Sequence, residues 1–130
     1  MALMKFREPN QVKWVGSRPG HNGTLSIKST VAENEVDVFY TVGAGDTFYL
    51  VGWSCGIRNA AAAVANVAFF MGIGGVGTYY FLLDRVPVDD GSRLAGNFYP
   101  PMECPAGTTF SASSPALNVS VMASIWGWVE

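Results

Sequence analysis

The middle of this chain contains a long stretch without charge. No charged side chain occurs in the 25 residues between Arg58 and Asp84. An uncharged run of this length can cross a bilayer as a helix, which needs about 20 apolar residues. It can also form strands that are buried in the core of a β-protein. The choice between these two structures decides the class of the whole protein.

Glycines near the centre of the stretch favour strands. Four of them lie within six positions: Gly72, Gly74, Gly75 and Gly77. Each glycine weakens a helix by roughly 1 kcal/mol, whereas a glycine cluster between two apolar runs is typical of a hairpin turn. We therefore predict two strands, Val64–Met71 and Val76–Leu83, joined at Gly72–Gly75. The alternative is a small single-pass membrane protein that spans the bilayer through Ala60–Leu83.

Much of the remaining chain alternates apolar and polar residues with the period of a strand. The predicted strands are Leu25–Ile27, Val36–Val42, Thr47–Cys55, Leu94–Tyr99, Thr108–Ser113 and Val119–Val129. A loop rich in proline and aspartate is predicted at Arg85–Gly91, and Pro100 and Pro101 are predicted to end the strand before them. About eight strands with turn signals every ten or so residues indicate an all-β protein, an antiparallel β-sandwich or small barrel.

The composition indicates that part of the surface is covered by other molecules. Charged residues make up 14% of the chain and apolar residues 49%, against roughly 25% charged in an ordinary soluble domain. The length suits one domain with one core. Because so few charges are available to cover its surface, we expect apolar area to be buried against neighbouring proteins.

The N-terminal residues are basic, whereas the rest of the chain is acidic. Residues 1–20 have a net charge of +3 and the remaining 110 residues a net charge of −5. We predict an extended basic arm over residues 1–22, followed by the sandwich domain over residues 23–130. The arm residues expected to contact another subunit or another neighbouring protein are Lys5, Phe6, Arg7, Lys13, Trp14 and Arg18. The basic residues are too sparse to follow a phosphate backbone, so we expect no nucleic-acid partner.

The residues that usually carry chemistry are few. Cys55 and Cys104 are far apart in sequence and are interpreted as two buried thiols, or as a single disulfide if the compartment is oxidising. The one histidine, His21, stands in a turn-forming segment without a partner that the sequence identifies. We therefore expect no enzyme, no metal and no cofactor. The first twenty residues do not resemble a signal peptide, and synthesis in the cytoplasm is expected.

The last predicted strand places different residues on its two faces. Val119, Val121, Ala123 and Ile125 alternate on the face expected to enter the core. The opposite face carries three large side chains: Met122, Trp126 and Trp128. Tryptophan is enriched at interface hot spots, so these three residues are predicted to form an oligomer interface. The alternative is a bulge at Gly127 that turns one of the two rings into the core.

Several segments resemble small jelly-roll proteins of tailed-bacteriophage virions. They are Asn97–Pro100, the "PAGT" turn within Cys104–Phe110, the Trp-Gly-Trp strand Val119–Glu130 and the strand-turn-strand Val36–Trp53. Together they cover roughly residues 35–130. The resemblance implies a jelly-roll-like sandwich and a head decoration or cement protein on the exterior of the capsid. Such a protein would bind the major capsid protein and itself, with a homotrimer favoured over a dimer, and would have no membrane partner.

Fibre and baseplate proteins share such sandwiches, which leaves a second role open. In that role the chain would be a recognition module that binds a receptor or a glycan through aromatic rings. The candidate rings are Trp53, Tyr79, Tyr80 and Tyr99.

Overall fold

A computed structural model describes residues 25–73, 77–88 and 91–130. This part of the chain is all-β and contains eight strands and no helix. The strands are β1 (Ser26–Glu33), β2 (Glu35–Thr41), β3 (Thr47–Asn59), β4 (Ala65–Ile73), β5 (Gly77–Val86), β6 (Gly91–Pro105), β7 (Thr109–Ser114) and β8 (Val119–Val129). The eight-stranded prediction is confirmed.

The strands form two four-stranded antiparallel sheets with the orders β1-β8-β3-β6 and β2-β7-β4-β5. The first strand pairs with the eighth, the second with the seventh, the third with the sixth and the fourth with the fifth. This nested pairing is that of one long antiparallel hairpin rolled into two sheets, which is the jelly roll. The predicted sandwich is therefore confirmed together with its topology.

The uncharged central stretch forms the hairpin predicted from its glycines. β4 and β5 pair antiparallel, from Ala65 opposite Val86 to Ile73 opposite Gly77. The alternative of a membrane-spanning helix over Ala60–Leu83 is therefore wrong, because backbone groups of this stretch form the hydrogen bonds of a sheet. Within the described ranges, no helix is long and apolar enough to span a membrane.

Strand β6 is longer than predicted and runs through both prolines. Leu50 of β3 pairs with Met102, and Gly52 pairs with Asn97. One residue of β3 therefore stands opposite the segment that contains Pro100 and Pro101, and this bulge needs no ladder hydrogen bond from either proline. The strand is also at the edge of its sheet, where proline is tolerated.

Two other predicted boundaries are corrected by strand pairing. The predicted loop Arg85–Gly91 is shorter, because β5 continues to Val86 and β6 begins at Gly91. Strand β3 continues beyond Cys55 to Asn59, where Arg58 pairs with Gly91 and Asn59 pairs with Val119. In each case the backbone hydrogen bonds between two paired strands continue further, and the partner strand is distant in sequence.

The core lies between the two sheets. From one sheet it takes alternating residues of β3 and β8, among them Phe48, Val121 and Ile125, and from the other it takes Phe69 and Phe110. All five of these side chains are fully buried. Since alternate residues of each strand enter this core, the remaining residues form the two outer faces of the molecule.

Candidate interaction surfaces

Trp128 is buried within this chain. It pairs with Tyr49 of β3 on the outer side of the β1-β8-β3-β6 sheet, and the two rings stack with centroids 5.7 Å apart. The indole is only 1% exposed, so it does not present a surface to a second copy. The bulge anticipated at Gly127 lies in β3 instead, between Leu50 and Gly52. Trp128 is thus covered on the outer side and does not turn into the core.

Trp126 and Met122 lie on the same outer face but remain accessible. Trp126 is half-buried and pairs with Ile27 of β1, and Met122 is exposed and pairs with Val31. Ile27 and Val31 are themselves 70% and 62% exposed. We call these four residues the tryptophan face.

Two glycines of β3 determine how the tryptophan face lies. A Cβ atom at Gly52 would stand 2.6 Å from Cζ2 of Trp126, and one at Gly56 would stand 3.2 Å from the Met122 methyl group. The indole and the thioether therefore lie against bare backbone. Because Trp126 and Met122 lie down on the sheet, the tryptophan face is flatter than it would be if these side chains stood upright.

An open groove continues from the tryptophan face toward β6. Its volume is about 620 Å³, and Met122, Gly56, Gly91, Arg58 and Arg93 are among its lining residues. Because Arg58 pairs with Gly91 and Gly56 with Arg93, the two arginines are diagonal neighbours on the outer face. Only four basic residues follow Arg18 in the sequence, and two of them are at this groove. The groove is therefore lined by half of the basic residues that follow Arg18.

The six residues assigned to the basic arm lie outside the described residues. They are Lys5, Phe6, Arg7, Lys13, Trp14 and Arg18. Their assignment to a contact with another subunit or a capsid protein stays a prediction, as does the assignment of Trp126 and Met122 to an oligomer interface.

Both cysteines are free and buried, as the sequence favoured. Burial raises the pKa of each thiol from 9.0 to about 11. Cys104 stands opposite Phe48, seven residues along β3 from Cys55, which separates the two by roughly 20 Å of strand. A disulfide needs Cα atoms within about 7 Å, so the single-disulfide alternative is excluded within the monomer.

The sequence did not identify the exposed apolar residues on the outer face of the β2-β7-β4-β5 sheet. The alternation of Val36 and Val38 with Asp37 correctly predicted a strand, yet both valines face outward and are 63% and 53% exposed. On the opposite edge of the same sheet, Tyr80 and Leu83 are 50% and 67% exposed. The sequence does show that this strand has two different faces, because the polar Asp37 is flanked by apolar residues on both sides. Alternation alone does not tell which of two faces is the inner one.

The four rings proposed for glycan or receptor binding do not form one set. Trp53 packs in the interior against Phe69 and Phe81, with centroids 5.9 and 5.4 Å away. Tyr79, Tyr80 and Tyr99 remain exposed on the edge strands β5 and β6. A recognition role would therefore depend on the tyrosines without Trp53.

Comparison with known protein families and with curated proteins found no match. Comparison with solved structures found similar chains. A chain described as "Cyanophage Pam1 capsid asymmetric unit" is 11% identical and has a TM-score of 0.50, with 96% of this chain and 99% of that chain covered. A chain from Bacillus endospore appendages, described as forming a novel family of disulfide-linked pili, is 9% identical with a TM-score of 0.41, covering 89% of this chain and 97% of that one. At 11% identity, the likeness to the cyanophage chain is one of fold.

Proposed function

We propose that this chain is a structural virion protein, a decoration or cement protein that binds the outside of the major capsid shell as a homo-oligomer. The observation that carries this proposal is the shared fold with a chain of a phage capsid asymmetric unit over nearly the whole of both chains. The role does not involve an enzymatic reaction. A protein that binds only the assembled shell stabilises it through binding linkage.

The tryptophan face and the adjoining groove suit the contact with the shell. Ile27, Val31, Met122 and Trp126 supply apolar area on one flat sheet face. Arg58 and Arg93 lie beside this area and make no ion pair within the described residues. An interface with an apolar centre and charges at its rim is typical of specific protein contacts. We propose that the two arginines receive carboxylates of the shell protein.

The test is to mix the purified protein with undecorated capsids and to measure co-sedimentation and the melting temperature of the shell. We expect stoichiometric binding and a higher melting temperature. The variant M122E should reduce binding because it puts a charge into the apolar centre of the contact. L117E is the matched control, since Leu117 is 66% exposed in the loop between β7 and β8, outside both sheet faces.

Two results would overturn the proposal. If the wild-type protein neither sediments with capsids nor changes their melting temperature, it is not a decoration protein of that shell. If M122E binds as well as L117E, the tryptophan face is not the contact surface.

A recognition role is the second candidate, favoured by one observation. Tyr79, Tyr80 and Tyr99 are 46%, 50% and 73% exposed, and exposed aromatic rings supply stacking area for sugars. A glycan array with the wild-type protein and the variant Y99S tests this role. A reproducible hit that Y99S abolishes would support it, whereas binding of no glycan would count against it.

A further inference from the structure

Trp128 is less exposed than its place on an outer face explains. Trp128 and Tyr49 lie on the outer side of the β1-β8-β3-β6 sheet, yet they are only 1% and 8% exposed. Trp126 stands two residues earlier on the same face and is only half-buried, although it lies flat against Gly52. Side chains stand upright on a sheet, so their cross-strand neighbours cover the flanks of a ring and leave its outer edge open. The outer edge of the Tyr49–Trp128 pair must therefore have a further cover.

The strands beside the pair do not supply this cover. The β1–β8 register places Leu25 beside Trp128, but Leu25 is itself 56% exposed. On the other flank Glu103 pairs with Tyr49, and its side chain is exposed. The bulged part of β6 around Pro100 is separated from β8 by strand β3. None of these neighbours lies over the indole ring.

The loops at this end of the sandwich connect the two sheets. The Val42 amide donates to the carbonyl oxygen of Thr108, and the Gly107 amide donates to that of Val42, both at 2.9 Å. These bonds hold the β2–β3 loop and the β6–β7 loop to each other where the chain passes from one sheet to the other. The two loops therefore close the end of the core and do not cover the outer side of the sheet.

The connectivity of the chain leaves one segment that can cover the rings. Residues 74–76 join the paired residues Ile73 and Gly77 in the other sheet. Residues 89 and 90 precede Gly91, which pairs with β3 at the end opposite to Tyr49. Residues 1–24, by contrast, lead directly into Leu25 beside Trp128. Of the three segments outside the described residues, this one alone meets the structure at the covered pair.

The last six residues of this segment are long enough to cover both rings. Six extended residues span up to about 20 Å, whereas the three strand spacings from β1 to β6 sum to about 14 Å. Gly20 and Gly23 are two of the six, and glycine lets a backbone lie close to another group. Residues 19–24 can therefore cross Trp128 and Tyr49 and reach β6.

The charges at this end of the sheet suit the segment. Glu103 of β6 and Glu130 after β8 are both exposed here. Residues 1–20 have a net charge of +3, and Arg18 directly precedes the six residues. Arg58 and Arg93 lie at the other end of the same face, where a basic segment would meet like charge. The distribution of charge thus favours the Trp128 end.

We propose that residues 19–24 of this chain fold over the outer side of the Tyr49–Trp128 pair. The segment would remove two large aromatic rings from water and would leave Ile27, Val31 and Met122 of the tryptophan face uncovered. Residues 1–18 would then begin beside the tryptophan face, on the side of the molecule that is proposed to contact the shell. The inference concerns the fold of the chain itself and does not depend on capsid binding.

The experiment places a spin label at residue 22 of the full-length protein and follows the indole signals in a proton–nitrogen NMR spectrum. The label attaches to N22C selectively, because Cys55 and Cys104 are buried and burial raises the pKa of both thiols to about 11. The variant W128F identifies the Trp128 signal. We expect the label at residue 22 to broaden this signal strongly.

L117C is the matched control for the label. Leu117 is exposed and lies just before β8, whereas Trp128 is near the end of that strand. The two positions are roughly 30 Å apart along the strand. A label at residue 117 should therefore leave the Trp128 signal unchanged.

Hydrogen exchange gives a second measurement on a chain of unchanged length. When residues 19–24 are replaced by alternating glycine and serine, the indole proton of Trp128 should exchange at least ~10-fold faster, because such a segment behaves as a flexible coil. The same replacement at residues 7–12 should leave the exchange rate unchanged.

Three outcomes would overturn the inference. They are a Trp128 signal that the label at residue 22 does not broaden, an exchange rate that the replacement of residues 19–24 does not change, and broadening that arises only between copies. The last is tested by mixing spin-labelled N22C with isotope-labelled wild type, and it would show that the segment covers a neighbouring molecule. If circular dichroism shows that N22C is not folded, H21C repeats the test. Capsid binding is measured separately, so a failure here leaves the decoration role standing.

Discussion

At the scale of single residues, Gly127 explains the spacing of the two tryptophans. It pairs with Leu50 and faces inward. A Cβ atom there would lie 2.0 Å from the carbonyl oxygen of Tyr49 and 2.9 Å from the Phe48 ring. Any other residue would force strand β8 away from β3. Glycine at this position therefore lets the strand pass close enough for Trp128 to stack on Tyr49.

The close approach predicts different costs for two glycine substitutions. G127A should lower the free energy of unfolding by about 2–3 kcal/mol, because a backbone carbonyl would have to move. G56A is the control: its Cβ would meet only the Met122 methyl group, which can swing aside, and we expect a change within ~0.5 kcal/mol. Urea denaturation measures both. Equal stability of the two variants would contradict this account of the Trp-Gly-Trp sequence.

At the scale of elements, one buried asparagine joins three parts of the chain. Asn59 ends strand β3 and is 1% exposed. Its Nδ2 group donates to the carbonyl oxygens of Ala63 and Val86 at 2.9 and 3.0 Å, and its Oδ1 accepts from the Ala61 amide at 2.9 Å. The side chain thus holds the alanine-rich loop before β4 and the end of β5. Asn66, the asparagine on the other side of this alanine-rich loop, lies on β4.

The two asparagines give a matched pair of variants. N59A should lower the free energy of unfolding by about 2–3 kcal/mol, because it leaves buried backbone groups without their partners. N66A should have an effect within ~0.5 kcal/mol, since Asn66 is exposed on β4. Thermal melting followed by circular dichroism compares them. If N66A is as destabilising as N59A, the loop is not held by the Asn59 side chain.

Among the strands, those with local turn signals were predicted best. Strand β8 has the predicted bounds, and the turns before β3 and β7 contain Gly45 and Gly107 with φ values of 81° and 86°. Strands β1 and β6 were predicted worst. β1 was predicted over Leu25–Ile27 and continues to Glu33 by pairing with β8. The continuation of β6 beyond Pro100 depends on pairing with β3 across the bulge. A proline signal is local, and it does not tell whether a strand lies at the edge of a sheet.

At the scale of the whole molecule, the eight strands of the described residues all lie after residue 25, and the basic segment precedes them. Deleting residues 1–18 should therefore leave the melting temperature of the protein nearly unchanged while weakening attachment to capsids. A full-length variant with K5Q, R7Q, K13Q and R18Q tests whether attachment depends on the positive charge of this segment or on its presence alone. Circular dichroism and co-sedimentation are the measurements. An unfolded deletion product would show that the segment belongs to the core.

The two outer faces of the sandwich differ in charge. The tryptophan face adjoins Arg58 and Arg93. The outer rows of the other sheet, Val36–Ser113–Ala68–Leu83 and Val38–Ser111–Phe70–Tyr80, contain no charged residue. Charges at the rim of a face can select a partner of opposite charge.

The sequence by itself determined the class of the protein. Glycines within the uncharged stretch, alternation along the other segments and turn residues between them are local features, and each reports the backbone structure of its own segment. They also placed Val119, Val121, Ala123 and Ile125 in the core, where all are buried. Only the tertiary structure decided which apolar residues stayed outside. Val36 and Leu83 lie 47 positions apart and share one exposed row, whereas Trp128 is covered by Tyr49. Whether a residue is buried depends on the neighbours that strand pairing brings to it. These neighbours cannot be inferred from the hydrophobicity of the residue itself.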